Sequence, residues 1–395
     1  MHFNTLQALE RIRDYFIAQI KALRSPSMNA QVIQQQGFLR FKDLYAFLAR
    51  HQKQLADDMT QAYVNTMRWY YNTHFSRYHT SLQKLKLYVT DKHDLLAAPD
   101  SAASKGGSGN KGPSAAHDIF SLGRRGDILR TSSTTALTSY VVEEDKGTHY
   151  LETPFRSFNL ALVDNASFEY TFLTGFFAPA QSFQAISRIF NSIFEPTFQL
   201  GQSYTKTLVA DSTDALGVLI ALRLNQQLTF ELQRRKIPAM EGYVNLTNIL
   251  LWPRLNQVLD AHCESLKRAT AALAGRPASS AASLLSSASA NAAANSVAPH
   301  PLTQRFAQFL SGILTLSADA GDDEPVGNSV GRLEKEFDSW VVKLAKGIAD
   351  PRKRERFLFN NYSLIITIIE TCEGRLAHDV RARFESLRAG LSGGR

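Results

Sequence analysis

Three pairings of residue types in this chain invite a catalytic or ligand-binding reading. The segment GSGNKG sets Gly107, Gly109 and Gly112 in the G-x-G-x-x-G spacing of a dinucleotide loop. Such a loop works only where it follows a strand and opens a helix whose first amides meet a pyrophosphate. Here it lies inside AAPDSAASKGGSGNKGPSAA (97–116), between helical patterns, and reads as a flexible linker. His262 and Cys263 are the residue types of a base and a thiol nucleophile. Adjacent residues on a helix point to different faces, however, and no third catalytic member accompanies them. His74 and His79 stand five apart, off the i, i+4 face that a helical metal pair requires, and no H-E-x-x-H occurs. The expectation is a chain that is not an enzyme, with no cofactor, no metal and no catalytic residue.

Two further clusters suit binding. MRWYYNTHFSRYH (67–79) has the aromatics of a base-stacking platform, but its apolar members follow one helical seam, which favours a core or a partner interface. DPRKRERF (350–357) holds the densest group of cations, Arg352, Lys353, Arg354 and Arg356. It could touch a partner or an anionic membrane, where each cation contributes on the order of 1 kcal/mol, or it is simply the solvated start of a helix after Pro351.

The elements that would position these groups are helical almost throughout. The chain has 395 residues and is 44% hydrophobic, enough to bury substantial cores. Its formal charge of +8 is spread over the length and mixed with acids, so no nucleic-acid partner is expected. Cys263 and Cys372 each stand alone, which excludes a disulfide framework within the chain and fits a reducing compartment. The longest apolar runs, ALGVLIAL (215–222) and LIITII (364–369), fall short of the ~20 residues of a membrane span, so membrane contact would be peripheral.

At the start, Asn4 and Thr5 are N-cap candidates for a helix whose apolar face carries Phe3, Leu6, Leu9, Ile12, Phe16, Ile20 and Leu23, and which stops at Ser25-Pro26. The spacing predicts a long helix near 52–89, roughly 50 Å at 1.5 Å per residue. Pro196 and Pro253 should kink or divide their helices. Ser212, Thr213 and Asp214 are N-cap candidates, and Arg234, Arg235 and Lys236 suit the C-terminal end of the same helix. Helices are expected near 302–316, 331–348 and 353–388, and the best strand pattern is the short SYVVEE (139–144). The expected organisation is an N-terminal helical segment (1–96), the linker (97–116), a middle bundle (117–268), an Ala/Ser-rich disordered insert (269–301) and a C-terminal bundle (302–390) with a loop near 317–331. The fold class is all-α, an elongated rod of stacked antiparallel helix bundles.

Five stretches carry a family resemblance: NTLQALERIRDYF (4–16), DIFSLGRRGDIL (118–129), PFRSFNLALVDNASFEYTFLTGFF (154–177), LLWPRL (250–255) and FLFNNYSLIITIIE (357–370). Together, in order, they resemble the C-terminal half of the vacuolar protein sorting-associated protein 52 family, a subunit of the GARP and EARP tethering complexes. The resemblance implies a helical-rod tether subunit of endosome-to-trans-Golgi retrograde transport and endocytic recycling, cytosolic and peripheral on those membranes. It also implies the other GARP/EARP subunits, Rab- or Arf-like small GTPases and SNARE proteins as partners, and an upstream coiled-coil region that this sequence does not contain. The alternative reading is a helical adaptor that binds proteins or anionic membranes outside any tethering complex.

Overall fold

The computed structural model describes residues 2–25, 29–88, 90, 94–98, 119–130, 135–274, 297–319, 321 and 324–392. The glycine match of the linker, and most of the linker and of the Ala/Ser-rich insert, lie outside the described residues. The chain is all-α, and the one sheet among the described residues is a two-residue parallel ladder, β1 (Lys86–Leu87) against β2 (Thr148–His149). Two compact units form: the first from Met1–Leu87, Ser133–Leu208 and Leu224–Leu250, the second from Tyr88–Ser132, Val209–Arg223 and Leu251–Arg395.

In the first unit, α1 (His2–Ala22) buries Leu9, Ile12, Phe16 and Ile20, with Leu23 just beyond its end, whereas Leu6, expected on the same face, is 54% exposed. It begins at His2, so Asn4 and Thr5 lie within the helix and do not precede it. The next helical run changes winding twice, from α (Ala30–Val32) to π (Ile33–Phe38) to 3-10 (Leu39–Phe41). The π turn brings Gln34, Gly37 and Phe38 inward together. A side chain at Gly37 would displace the end of the Gln19 side chain of α1.

Then come α2 (Lys42–His51) and α3 (Lys53–Leu82), the latter about 45 Å long at 1.5 Å per residue. The heptad-like pattern continues to residue 89, but the helix stops at Leu82 because the chain turns there into β1. SYVVEE is a helix and not a strand: α4 (Ser139–Glu144) is capped by the Thr138 side chain and buries Val142 alone, where a half-buried strand would bury alternate residues. Two long helices follow, α5 (Glu152–Phe177) and α6 (Phe183–Ala210). Pro196 does not divide α6. Proline removes the hydrogen bond to the carbonyl four residues back, and Arg68 donates to that oxygen, Ser192 O, at 3.4 Å while pairing with Glu195 at 3.2 Å.

Aromatic rings close this core. Phe176 of α5 lies 5.7 Å from Phe16, 5.4 Å from Phe38 and 5.0 Å from Tyr45, mostly edge to face, which joins four segments in one layer. Beneath it Glu169 is fully buried. Its carboxylate accepts from Tyr63 Oη at 2.6 Å, Tyr71 Oη at 2.9 Å and Gln34 Nε2 at 2.7 Å. Burial pushes the Glu169 carboxyl above its usual range, and the three donors pull it back.

In the second unit the first turn of α7 (Ala215–Arg235) is held by Asp214. Asp214 Oδ1 accepts from Gly217 N at 2.9 Å, the expected N-cap, and its two oxygens take a bidentate Arg125 at 3.2 and 2.5 Å. Both side chains are buried, at 6% and 3% exposure. The helix α8 (Glu241–Ala274) runs through Pro253 without interruption and extends into the start of the Ala/Ser-rich stretch. Leu224–Leu250 belongs to the first unit, so α7 and α8 each contribute to both.

Four further helices complete the second unit: α9 (Pro301–Leu316), α10 (Val326–Ala345), α11 (Pro351–Ile369) and α12 (Arg375–Ser392). Phe306 of α9 stacks on Phe337 of α10 at 4.1 Å. The helix expected over 353–388 is two helices. Gly374 between them has φ +94°, and a side chain there would meet Ala318 O at 2.7 Å. Arg381 reaches back to the carbonyls of Ile369, Glu370 and Cys372, satisfying the end of α11. Likewise α10 begins at Val326, inside the stretch read as a loop.

Glu169→Ala takes the carboxylate from three buried donors, of which Gln34 keeps the Tyr63 hydroxyl as a second acceptor, and should destabilise the first unit by about 3–5 kcal/mol, whereas Tyr63→Phe, which loses one hydroxyl, should cost about 1–2 kcal/mol. Asp214→Ala removes the bidentate partner of buried Arg125 together with the cap of α7 and should cost the second unit about 3–5 kcal/mol. Urea unfolding, with native-state hydrogen exchange to assign each loss to its unit, measures all three.

Candidate functional site

The groups singled out for chemistry serve packing. His262 is fully buried on α8, with Nδ1 accepting from Leu96 N at 3.4 Å and Nε2 3.2 Å from Thr213 O. That arrangement fixes the neutral ring, and burial lowers its pKa to about 4. The neighbouring Cys263 thiol is raised to about 11 by burial, so neither group is poised for thiolate chemistry near neutral pH. His74 stacks against Tyr70 and His79 meets Tyr204 edge-on. From the 67–79 aromatic run, Met67, Tyr71 and Phe75 enter the first unit's core and Trp69 stays 53% exposed. Among the described residues no three His, Cys, Asp or Glu side chains gather as a metal site, and no helix is long and apolar enough to cross a membrane.

The basic cluster opens α11. Asp350 caps the helix by accepting from Arg352 N at 2.9 Å. Arg354 is committed to the fold, donating twice to Ile348 O at 2.9 and 3.3 Å. Arg352 and Arg356 are exposed and Lys353 is half-buried, so the cluster holds one structural arginine and two exposed ones. Cations at a helix N-terminus face the positive end of its dipole, so their placement does not stabilise α11.

The most site-like feature was not anticipated. A groove of about 450 Å³ runs between α10 and α12 in the second unit. Val330, Leu376 and Val380 form its apolar walls, and Gly327 and Gly331 leave one side of α10 without side chains. The helices run in the same direction here: Leu376 is the nearest side chain to Gly327, and two turns further along both helices Arg383 pairs with Glu334 at 3.2 Å. Each helix-interior glycine forgoes about 0.5–1 kcal/mol relative to alanine.

Glu334 lines the far end of the groove at 4% exposure. Its Oε2 accepts from Arg383, and its Oε1, equally buried, has no hydrogen-bond partner. Burial raises its carboxyl to about 7, against the pull of Arg383. The signal in the sequence was Gly327-Asn-Ser-Val-Gly331, two glycines one turn apart with Glu334 three residues on, inside a stretch whose glycines and acids resemble a loop.

Comparison with known proteins places this chain. The family described as Vps52, C-terminal matches residues 65–392, and the Vps52/Sac2 family, coiled-coil, matches residues 5–48. The opening helix thus falls under the coiled-coil family and not at the start of the C-terminal one. Vacuolar protein sorting-associated protein 52 of Schizosaccharomyces pombe is 31% identical over 391 residues, covering 98% of this chain and 72% of that protein. Its Saccharomyces cerevisiae namesake is 34% identical over 389 residues, 90% of this chain and 58% of that protein. The Homo sapiens homolog is 24% identical over 92% of this chain and 48% of its own length. The chain therefore spans about half the length of the mammalian relative.

Glu334 ionises near 4.5 when unfolded and near 7 when folded, so between those values the folded chain holds the extra proton and stability falls as pH rises. Glu334→Gln removes that contribution. The wild-type minus variant difference in urea stability should drop by on the order of 1 kcal/mol or more from pH 5 to pH 7.5, then level off. Parallel curves would refute the assignment.

Proposed function

The chain belongs to the Vps52 family, and on that premise we propose that it acts as a non-enzymatic subunit of a multisubunit vesicle-tethering assembly of the GARP and EARP type. Its work is retrograde transport from endosomes to the trans-Golgi network and endocytic recycling. The observation that carries this reading is the family match over residues 65–392, joined to relatives named for vacuolar protein sorting. A helix some 45 Å long, such as α3, supports a mechanical role because it holds surfaces at fixed separations without any bond being made or broken.

The partners are the other subunits of the assembly, small GTPases of the Rab or Arf type, and SNARE proteins. Several weak contacts carried on one scaffold act at high effective concentration, so the assembly can retain a vesicle without a single tight site. Contact with Golgi or endosomal membranes is peripheral and uses the cluster of Arg352, Lys353 and Arg356, of which Arg352 and Arg356 are exposed; Arg354 supports the helix start.

Affinity purification of the tagged chain in its full-length context, with quantitative mass spectrometry, should recover the sister subunits in constant ratio. Their absence from a stable, folded bait rejects the reading. Flotation with phosphatidylserine vesicles tests the membrane surface: the double variant R352E/R356E should lower the bound fraction about tenfold at low salt, and wild-type binding should weaken as salt rises. Equal flotation of both chains would reduce the cluster to a solvated helix start.

A further inference from the structure

We infer that the slot which α8 and α9 form around residues 94–98 is a peptide-binding site, and that these residues, its resident occupant, exchange with a segment of a partner protein that carries two adjacent leucines. All the contacts involved lie within the second unit and are independent of the tethering reading.

DLLAA (94–98) belongs to no helix or strand, yet Leu96 is fully buried and Leu95 only 6% exposed. Side chains from two helices hold its main chain. Leu96 N donates to His262 Nδ1 at 3.4 Å and Ala97 N to Ser265 Oγ at 3.3 Å, both acceptors on α8, while Arg305 of α9 donates to Leu96 O at 3.2 Å. A turn closed by Ala98 N donating to Leu95 O at 3.0 Å shapes the segment, and Ala97 and Ala98 are half-buried. Contacts to main-chain groups attach a peptide of any sequence, and the enclosed side chains select among sequences, which is the division of labour in peptide recognition. The selection here is for Leu-Leu followed by small residues. All three attachments exceed the roughly 2.9–3.0 Å usual for such bonds and are correspondingly weak, so the segment is held by its leucines more than by its main chain.

The slot is built without its occupant. His262 Nε2 lies 3.2 Å from Thr213 O, and the ring rests against Phe309 at 4.9 Å and Phe120 at 5.9 Å. Ser265 Oγ spends its proton on His262 O at 2.7 Å, which leaves its lone pairs to accept an incoming N–H. Arg305 lies over the Phe120 ring at 5.6 Å. Each of these three groups is thus oriented by the fold and not by residues 94–98, so an emptied slot keeps two acceptors and a donor in place. Burial holds the His262 ring neutral, so Nδ1 remains an acceptor throughout the neutral range. Once vacated, that nitrogen is a buried acceptor with nothing to bond, and a segment supplying an N–H at the same place relieves the cost. A competitor binds the wild-type slot with its affinity reduced by the fraction of time the resident segment is out.

The probe is a labelled synthetic peptide, DKHDLLAAP (91–99), added to the full chain and followed by fluorescence anisotropy. The double variant L95S/L96S, whose own segment no longer fills the slot, should bind the peptide about tenfold or more tightly than wild type does, with circular dichroism showing that it is folded. A peptide with serine at both leucine positions should not bind it, and adding Arg305→Gln should lower its affinity for the leucine peptide about three- to tenfold. A second measurement needs no substitution. In the wild-type chain, hydrogen exchange at Leu96 N and Ala97 N should be about tenfold or more faster than at the α8 amides of residues 258–266, as opening of the slot alone requires. Equal binding by wild type and the double variant, equal binding of the serine peptide, or exchange of Leu96 and Ala97 only with global unfolding overturns the inference. None of these readouts depends on recovery of sister subunits, so the tethering reading stands or falls on its own test.

Discussion

A carboxylate enclosed by protein must be met by donors, and in the first unit that demand ties together segments far apart in the chain. Glu169 draws in Gln34 from the π turn and Tyr63 and Tyr71 from α3, all within 2.9 Å. Hydrophobic burial alone would let these helices slide, since leucine and phenylalanine accept many neighbours. The hydrogen bonds to one carboxylate do not, because a shift of one residue would break at least two of them. The aromatic layer around Phe176 then packs on a register already set.

The second unit uses the same device in ionic form. Arg125 and Asp214 are buried together, and Asp214 also caps α7, so one side chain couples a short connector to the start of a long helix. Removing either charge takes from the other its bidentate partner, which makes such a pair a specifier of arrangement more than a source of net stability. Glu334 departs from this economy. It has half its hydrogen bonds, a raised pKa and a groove beside it, whereas Glu169 has a full set of donors. The contrast separates a fully bonded carboxylate from one with an oxygen enclosed and unbonded.

Features of the surface and of the core fit the proposed role of holding other proteins in place. The cations of Arg352 and Arg356 reach outward from one helix start, the groove opens between two others, and the buried His262 and Cys263 are electrostatically quiet. Surfaces spaced along stiff helices can each bind weakly and still act together, because a scaffold converts separate encounters into neighbouring ones.

Periodicity showed that the chain is helical and, Leu6 apart, which residues of α1 and α3 face a core; residue type put an N-cap at 212–214, and the resemblance of five ordered strings pointed to the family. These are local properties: an apolar stripe at 3.6-residue spacing or a cap depends on residues within a turn or two. Short-range pattern also misled where the deciding contact was distant. SYVVEE carries strand-forming residues but lies as a capped helix, and the break at Gly374 exists because Ala318 O occupies the space a side chain would need. The groove was illegible for the same reason. Gly327, Gly331 and Glu334 resemble a loop in one dimension, and only the packing of α12 beside α10 decides that the glycines face open space and that a carboxylate oxygen is shut away without a donor. Burial and unmet hydrogen bonds are properties of what surrounds a residue, and those surroundings come from the tertiary fold.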